Sequence, residues 1–206
     1  AVKADTVESY SSPPLAEAMK AHPGLPKVAY VYMLQSQGLL HDTWVYGVDA
    51  KRILPTMISP TEIMDGAIIS GNCVSAFGKN STYVHLNNPV IRSLYAHHGK
   101  ELNFVGVIIT NENVTLADKK RSSSYTVKLA RMLGVDAVVI SEEGFGNPDA
   151  DLIMNCRKSE QAGIRTVLIT DEFAGRDGSS QSLADSCPEG DACVTAGNAN
   201  ELIVLP

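Results

Sequence analysis

Cys73 stands at the end of the short apolar run Ala67–Ser70, directly after Gly71 and Asn72. A Gly-Asn-Cys turn permits backbone self-chemistry. The Cys73 thiolate can attack the Asn72 carbonyl and shift the acyl group from nitrogen to sulfur. Elimination from that thioester leaves dehydroalanine, which hydrolyses to an amino-terminal pyruvoyl group. Gly71 is expected to accept the backbone angles that such a turn needs. The plain alternative is a small hydrophobe packed under a turn, because free Cys is among the most buried residue types.

Other residues capable of chemistry also follow apolar runs. Phe104–Thr110 is followed by Asn111, Glu112 and Asn113, and Ala137–Ser141 by Glu142 and Glu143. Thr166–Thr170 is followed by Asp171, Glu172 and, further on, Asp177. The Glu142-Glu143 pair could do acid/base work if burial raises one pKa, with Glu143 the choice for a proton shuttle; a solvated loop end or a helix cap is the competing reading. Asn111, Glu112, Asn113, Glu142, Asp171 and Glu172 are candidate substrate contacts, against a role in structuring loops, and a Mg-type oxygen site stays open at the last of these loops. Cys156 falls at helical spacing with Leu152 and Ile153 and reads as core. Cys187 and Cys193 receive no role, and no zinc-type spacing surrounds any Cys, so no metal is expected. His85 is the nearby base candidate for a thiol nucleophile, while His41-Asp42 reads as ordinary loop hydrogen bonding.

Those residues need a frame that brings strand ends together. Residues 1–26 are rich in Ser, Pro and Ala and read as a linker or arm with a short helix near Leu15–Lys20. From Lys27 onward, strand-length apolar runs alternate with helical patterns: Val28–Leu34, Ala67–Ser70, Phe104–Thr110, Ala137–Ser141, Thr166–Thr170 and Leu202–Leu205. Nearly continuous apolar runs are the mark of strands covered on both faces. Helices are punctuated by Asn88-Pro89 and Gly99, by Leu116 to Leu133 with Gly134, and by Asn147-Pro148 and Gly163. The pattern predicts one α/β domain over 27–206, a doubly wound, mostly parallel sheet with helices on both faces, Rossmann-like or flavodoxin-like. In such sheets ligands bind beyond the carboxyl ends of the strands, so the loops above are expected to form one rim.

The bulk properties limit the partners. Hydrophobic residues make up 44% and charged residues 19% of 206 residues, a composition that folds into a core. A net charge of -6 without a Lys/Arg run offers nothing to a phosphate backbone or an anionic lipid, so no nucleic acid and no membrane partner is expected. No apolar stretch approaches the ~20 residues that cross a bilayer, and the first residues lack the regions of a signal peptide. The expected location is cytoplasmic.

Longer stretches add a family resemblance. KVAYVYMLQSQGLLHDTWVYGVDAK, PTEIMDGAIISGNCVSA, NFVGVIITNENV, ISEEGFGNPDADLIMNC and ITDEFAGRDGSSQSLAD, spread over most of residues 25–206, closely resemble the pyruvoyl-forming proprotein of the glycine, sarcosine and betaine reductases, whose substrate-binding component is called protein B. The resemblance implies a cut between Asn72 and Cys73, with Cys73 becoming the pyruvoyl cofactor. It also implies that the chain is a fragment or a truncated relative. Where family members often carry a second Cys four residues past the first, this chain has Phe77, so no thiol role attaches there. The implied reaction is an imine between the pyruvoyl carbonyl and the amine of a small amino-acid substrate. That imine opens the adjacent CH2 to a selenolate from a partner selenoprotein subunit. The product passes to the small selenoprotein A, and the assembly is a hetero-oligomer. A primary or secondary amine can form such an adduct and the quaternary nitrogen of betaine cannot, which favours glycine or sarcosine. Two other functions stay open on the residues themselves: a hydrolase or transferase using Cys73 as a thiol, and an unprocessed module that binds an amino acid or a partner subunit.

Overall fold

A computed structural model of the chain describes residues 10–11, 13, 15–37, 42–71, 79–172 and 183–198, with the side chains of 171, 172 and 196–198 left out of the description. The middle of the fold is set by two strands that are apolar along nearly their whole length, β1 (Lys27–Leu34) and β6 (Asn103–Asn111). Successive side chains on a strand point to opposite faces, so β1 feeds two cores. Ala29, Val31 and Met33 enter one, and Val28, Tyr30, Tyr32 and Leu34 enter the other.

The six-stranded sheet has the order β4-β6-β1-β7-β8-β9, with β4 Thr56–Ile58, β7 Ala137–Ser141, β8 Arg165–Glu172 and β9 Cys193–Asn198. Every pairing in it is parallel except that of the edge strand β4 with β6. Taken in chain order, the five parallel strands lie in the spatial sequence 2-1-3-4-5, the flavodoxin-like winding, whose switch point falls between the first and third strands. Here those strands are β1 and β7.

Helices cover both faces, as the apolar runs predict. One face packs under α5 (Leu116–Leu133) and α6 (Asn147–Gln161), which bring Ala130, Leu133, Leu152, Ile153 and Cys156 against Val31 and Met33. Removing a side chain such as Leu152, which is fully buried, costs about 2–5 kcal/mol in sites of this kind. The other face packs under α2 (Pro60–Met64) and α4 (Pro89–His97), through Ile63, Ile91 and Leu94. The punctuation is local and physical. Asn88 accepts the Ile91 N–H at 3.0 Å to start α4, and Gly134 closes α5 with φ of 60°, a left-handed angle that favours glycine.

The described part of the amino-terminal arm carries α1 (Leu15–Ala18) and lies on the sheet. The Ala18 carbonyl accepts from the Asn103 amide at 2.8 Å, and Tyr10 stacks on Tyr95 with ring centroids 4.4 Å apart.

The structure corrects the sequence reading at four places. First, β5 (Ile68–Ser70) is no member of the main sheet. It pairs antiparallel with β2 (Thr43–Val45), which pairs with β3 (Val48–Asp49) in a second, three-stranded sheet. The run is only three residues long and one-sided, with Ile68 buried and Ile69 exposed, and such short runs do not reveal which sheet they join. Second, the β2–β3 hairpin turns at Tyr46-Gly47, where both residues have positive φ, the requirement of a two-residue primed turn; a Tyr in that place hid it. Third, the far edge of the sheet is β9, which starts at Cys193 where the sequence reading places no strand, while the run at 202–205 lies outside the described residues. Fourth, β8 runs on to Glu172, so Asp171 and Glu172 sit in the strand rather than after it.

Candidate functional site

At the β1/β7 switch point three carboxylates converge. Glu142 and Glu143 follow β7, Glu112 follows β6, and all are buried, with exposures of 8%, 3% and 1%. The loops are tied to neighbouring strands by backbone bonds, Glu112 N–H to Leu34 O at 3.0 Å and Glu142 N–H to Ile169 O at 3.3 Å. The carboxylates then bond across the switch point. Glu143 Oε2 accepts the Gln35 N–H at the end of β1 at 2.6 Å, and its Oε1 accepts the Asn80 N–H at 3.2 Å. Glu112 Oε1 accepts the Glu143 N–H at 2.8 Å, and the Thr170 hydroxyl donates to Glu142.

Burial and like charge govern their protonation. Burial raises the Glu143 carboxyl from 4.5 to about 7, opposed by the two backbone N–H donors and by the cation of Lys79. Glu112 is pushed well above the ordinary range, first by burial and then by the neighbouring Glu143 and Glu142 carboxylates. The Glu112 carboxyl therefore keeps its proton to higher pH than an ordinary carboxyl, and Glu143, at about 7, is poised to exchange one near neutrality.

A polar chain leads from this cluster to the residues that precede Cys73. The hydroxyl of Tyr30 hydrogen-bonds Ser141 at 2.5 Å, and the stacked neighbour Tyr32, its ring centroid 5.1 Å away, bonds His85 Nδ1 through its hydroxyl at 2.8 Å. Asn80 Nδ2 donates to the same Tyr32 oxygen at 3.0 Å. His85, on α3 (Thr82–Leu86), then reaches Ser70 Oγ through Nε2 at 2.9 Å. Burial, with Lys79 in second place, lowers the His85 pKa to about 4, so the ring is neutral at physiological pH and acts as donor on one nitrogen and acceptor on the other.

The strand end before the Gly-Asn-Cys turn is strapped. Ser70 N–H donates to Thr82 Oγ1 at 2.9 Å, and that hydroxyl donates to Ser70 O at 3.1 Å. Gly71 N–H donates to Asp42 O at 2.7 Å. A Cβ on Gly71 would stand 2.9 Å from the Trp44 ring, closer than such atoms approach. Gly71 is not among the glycines with positive φ, so its requirement is space beside Trp44 and not the unusual backbone angle expected from the sequence.

The candidate residues divide by position. Asn72 and Cys73 lie outside the described residues, as do the side chains of Asp171 and Glu172. Glu142 and Glu143 line a cavity of about 290 Å³ together with Lys79, Asn80, Asn88, Ser141 and Thr170. Asn111 and Asn113 are engaged elsewhere. Asn111 Oδ1 accepts from Ser122 Oγ at 3.3 Å, while Asn113 bonds Asp151 through both its backbone N–H and its side-chain amide. Asp151 in turn pairs with Lys119, whose Nζ also donates to Asn147 O at 2.9 Å. Glu112 stands behind Glu143 rather than in the cavity wall. A larger cavity, about 330 Å³, opens between the amino-terminal arm, β4 and β6, but is lined mostly by apolar groups. Lys79, Asn80 and the two tyrosines are site residues that the sequence does not reveal. Tyr30 and Tyr32 read correctly as core, and only the fold shows that their hydroxyls join a buried polar chain.

The β1/β7 edge thus carries a buried carboxylate, Glu143, bonded to the Asn80 N–H just after the 72–78 segment. The whole chain, residues 1–206, matches the family described as glycine/sarcosine/betaine reductase component B subunits. The chain belongs to that family. It is 70% identical over 202 residues to the glycine reductase complex component B subunits alpha and beta of Acetoanaerobium sticklandii, covering 98% of this chain and 47% of that one. It is 63% identical over 205 residues to the sarcosine reductase complex component B subunit alpha of Peptoclostridium acidaminophilum, covering 100% of this chain and 48% of that one. Identity to the betaine reductase complex component B subunit alpha of the same organism is 43% over 202 residues, 97% of this chain and 46% of that one. The chain spans about half the length of the curated relatives it matches. No solved structure matches it significantly. Among the described residues of this component B chain, no helix is long and apolar enough to cross a membrane, and no group of three or more His, Cys, Asp or Glu side chains is placed to hold a metal ion.

Proposed function

We propose that this chain is the substrate-activating part of an amino-acid reductase component B, that it cuts its own backbone between Asn72 and Cys73, and that Cys73 becomes a pyruvoyl group. The observation that carries the reading is the anchoring of the 72–78 segment. It leaves from Ser70 and Gly71, strapped by Thr82, His85, Asp42 and Trp44, and returns at Asn80, whose N–H is bonded to Glu143. Membership in the family supports the same reading, as does the name of one relative, which assigns a single chain to two subunits.

The residues present fit carbonyl chemistry beside this segment. Glu143, a buried carboxyl in the cavity wall, is bonded to the Asn80 N–H just after residues 72–78, and Gly71, just before them, has no room for a side chain beside Trp44. When formed, the pyruvoyl group supplies an electrophilic carbonyl for a substrate amine. The protein's own part is proton handling. Glu143 takes a proton from the substrate ammonium, since an amine attacks a carbonyl only when unprotonated. Glu112 and Thr170 keep the neighbouring carboxylates in place, and the cavity wall of Val84, Pro89, Val90 and Ile169 limits water around the amine.

The substrate is a primary or secondary amino acid, glycine or sarcosine, because a quaternary nitrogen cannot add to a carbonyl and expel water. The 206 residues contain no selenocysteine, so reductive cleavage of the C–N bond falls to a selenol of a partner subunit in component B, and the product passes to selenoprotein A. The chain therefore works as one subunit of a hetero-oligomeric oxidoreductase.

The test is the intact mass of the full-length protein, with phenylhydrazine or borohydride to trap a terminal carbonyl. Wild type should give two pieces, the downstream one beginning at residue 73 and hydrazine-reactive. Cys73→Ala should stay uncut, since a methyl group can neither attack nor be eliminated, and Cys73→Ser should cut slowly through an ester. Two pieces with a reactive terminus from Cys73→Ala would overturn the reading.

A further inference from the structure

Two thiols that the carboxylate site does not use meet under α6. Cys156 on α6 and Cys187 in the connection from β8 to β9 are 31 residues apart in sequence, and the fold brings their sulfurs to 4.0 Å. Cys156 is fully buried, whereas Cys187 packs against the same core from its edge and is only partly buried. The connection is tied to α6 on both sides of the pair. Asp149, near the start of α6, accepts the Ala184 N–H, and Arg157, next to Cys156, stands 3.7 Å from the Glu189 carboxylate. Between these ties the chain turns tightly, with the Gly190 N–H on Cys187 O at 3.1 Å. A proton path leads away from the sulfurs. The Thr166 hydroxyl donates to Glu160 Oε1 at 2.8 Å, so its oxygen is left to accept, and the Cys156 thiol lies 3.3 Å from it. The Cys187 thiol donates in turn to the Cys156 sulfur. Burial keeps Cys156 a thiol, raising its pKa to about 12, so the partly exposed Cys187 is the sulfur that meets a reagent first. Core packing alone accounts for one buried Cys, but not for a second thiol set against it at the surface with a carboxylate behind the pair.

We propose that Cys156 and Cys187 form an oxidisable dithiol, a modification site whose reagent is a small hydroperoxide and whose product is a disulfide fastening the β8–β9 connection to α6. The Cys187 sulfur attacks one peroxide oxygen, the O–O bond breaks, and the other oxygen leaves as an alcohol; Cys187 is then a sulfenic acid. The Cys156 sulfur attacks the Cys187 sulfur, the S–O bond breaks, and the departing hydroxide becomes water with the proton that Cys156 releases toward Thr166 and Glu160. Two thiols and one hydroperoxide give one disulfide, one alcohol and one water, the sulfurs losing the two electrons that the peroxide gains. The bond requires the sulfurs to close by about 2 Å, a movement that falls to the exposed connection because α6 is held in the core. The site is separate from the carboxylate cavity: Thr166 precedes Thr170, the partner of Glu142, by four residues of β8, about 13 Å along the strand.

The test treats the full-length protein, reduced and then freed of reductant, with tert-butyl hydroperoxide under native conditions, alkylates the remaining thiols and maps the peptides by mass. Wild type should show a bridge between Cys156 and Cys187, with the loss of two hydrogens, reversed by dithiothreitol. Cys187→Ser should leave Cys156 a free thiol under the same treatment. Cys156→Ser should raise the dimedone adduct of the Cys187 sulfenic acid several-fold, since no second thiol consumes it. A bridge that contains Cys193 in place of either residue overturns the proposal, as does a protein in which Cys193 is oxidised while Cys156 and Cys187 both stay free, or dimedone labelling of Cys156 in the Cys187→Ser protein. The wild-type map decides without any variant, so a serine that disturbs the core at position 156 leaves the test intact.

Discussion

Glu143→Gln replaces a buried carboxyl that titrates at about 7, and its effect on stability can be worked from the structure. Below pH 4.5 the carboxyl is protonated in both the folded and unfolded chains, so it carries no penalty. As pH rises, the unfolded carboxyl ionises at its ordinary value of 4.5, while the buried one holds its proton to about 7. The folded state then binds more protons than the unfolded one, and stability falls through that window. The full loss, present above about 7, is about 3 kcal/mol. Glutamine never ionises, so the variant lacks this fall. It carries instead a penalty constant with pH, because its NH2 must face the N–H of either Gln35 or Asn80, at about 1–3 kcal/mol for the lost bond. Glu112 adds to the effect with the same sign, since the Glu143 charge is one reason its carboxyl titrates high. Urea unfolding followed by the fluorescence of Trp44, the chain's single Trp, across pH 4.5 to 8.5 should show the variant less stable at the acid end and level with or above wild type at the alkaline end. The capture of glycine by borohydride should rise through about pH 7 in wild type and lose that limb in the variant. Parallel stability curves for the two proteins would refute the assignment of a near-neutral titration to Glu143.

Two further substitutions probe the frame. Gly71→Ala places a methyl group 2.9 Å from the Trp44 ring and should cost about 1–3 kcal/mol by overpacking, with slower self-cleavage on gels; a Trp44→Leu background should relieve both effects, and unchanged stability would remove the steric account of Gly71. Lys119→Met leaves the buried Asp151 carboxylate uncompensated and should destabilise by about 3–5 kcal/mol in urea unfolding, more at high pH because burial already raises Asp151 and Lys119 opposes that rise; a loss of only about 0–1 kcal/mol, the size of a surface pair, would show that the ion pair does not hold the Asn113 loop.

The parts legible from sequence are those whose physics is local. The apolar run of β1, the Asn88-Pro89 start of α4 and the Gly134 stop of α5 each declare themselves within a few residues, and the carboxylates after β6 and β7 follow from chain order alone. What was not legible depends on partners distant in sequence. Ile68–Ser70 is too short to reveal that it pairs with Thr43–Val45, and a Tyr in the β2–β3 turn carries no turn signal of its own. Lys79 gains meaning only when the fold sets it beside Glu143, far along the chain. Asn111 and Asn113 share the composition of a ligand-binding loop, yet the Asn111 side chain accepts from Ser122 and that of Asn113 donates to Asp151, the buried partner of Lys119.

The same topology bears on what a cut at Asn72 would do to the molecule. The upstream piece would hold β1 and the downstream piece β6 and β7, yet β1 lies between them, paired from Lys27↔Asn103 to Leu34↔Asn111 on one side and from Val28↔Ala137 to Tyr32↔Ser141 on the other. Separating the pieces would therefore open the centre of the sheet and both hydrophobic cores at once, since β1 contributes Val31 and Met33 to one and Tyr30, Tyr32 and Leu34 to the other. The polar chain is divided in the same way. Gln35, Tyr32 and Ser70 would belong to the upstream piece, and their partners Glu143, Asn80 and His85 to the downstream one. A new terminus at position 73 would thus form inside a structure that the cut leaves intact. Scission at this place would remove none of the described strand pairings or core contacts that hold the two pieces together, and the carboxylate cluster would keep its partners on both.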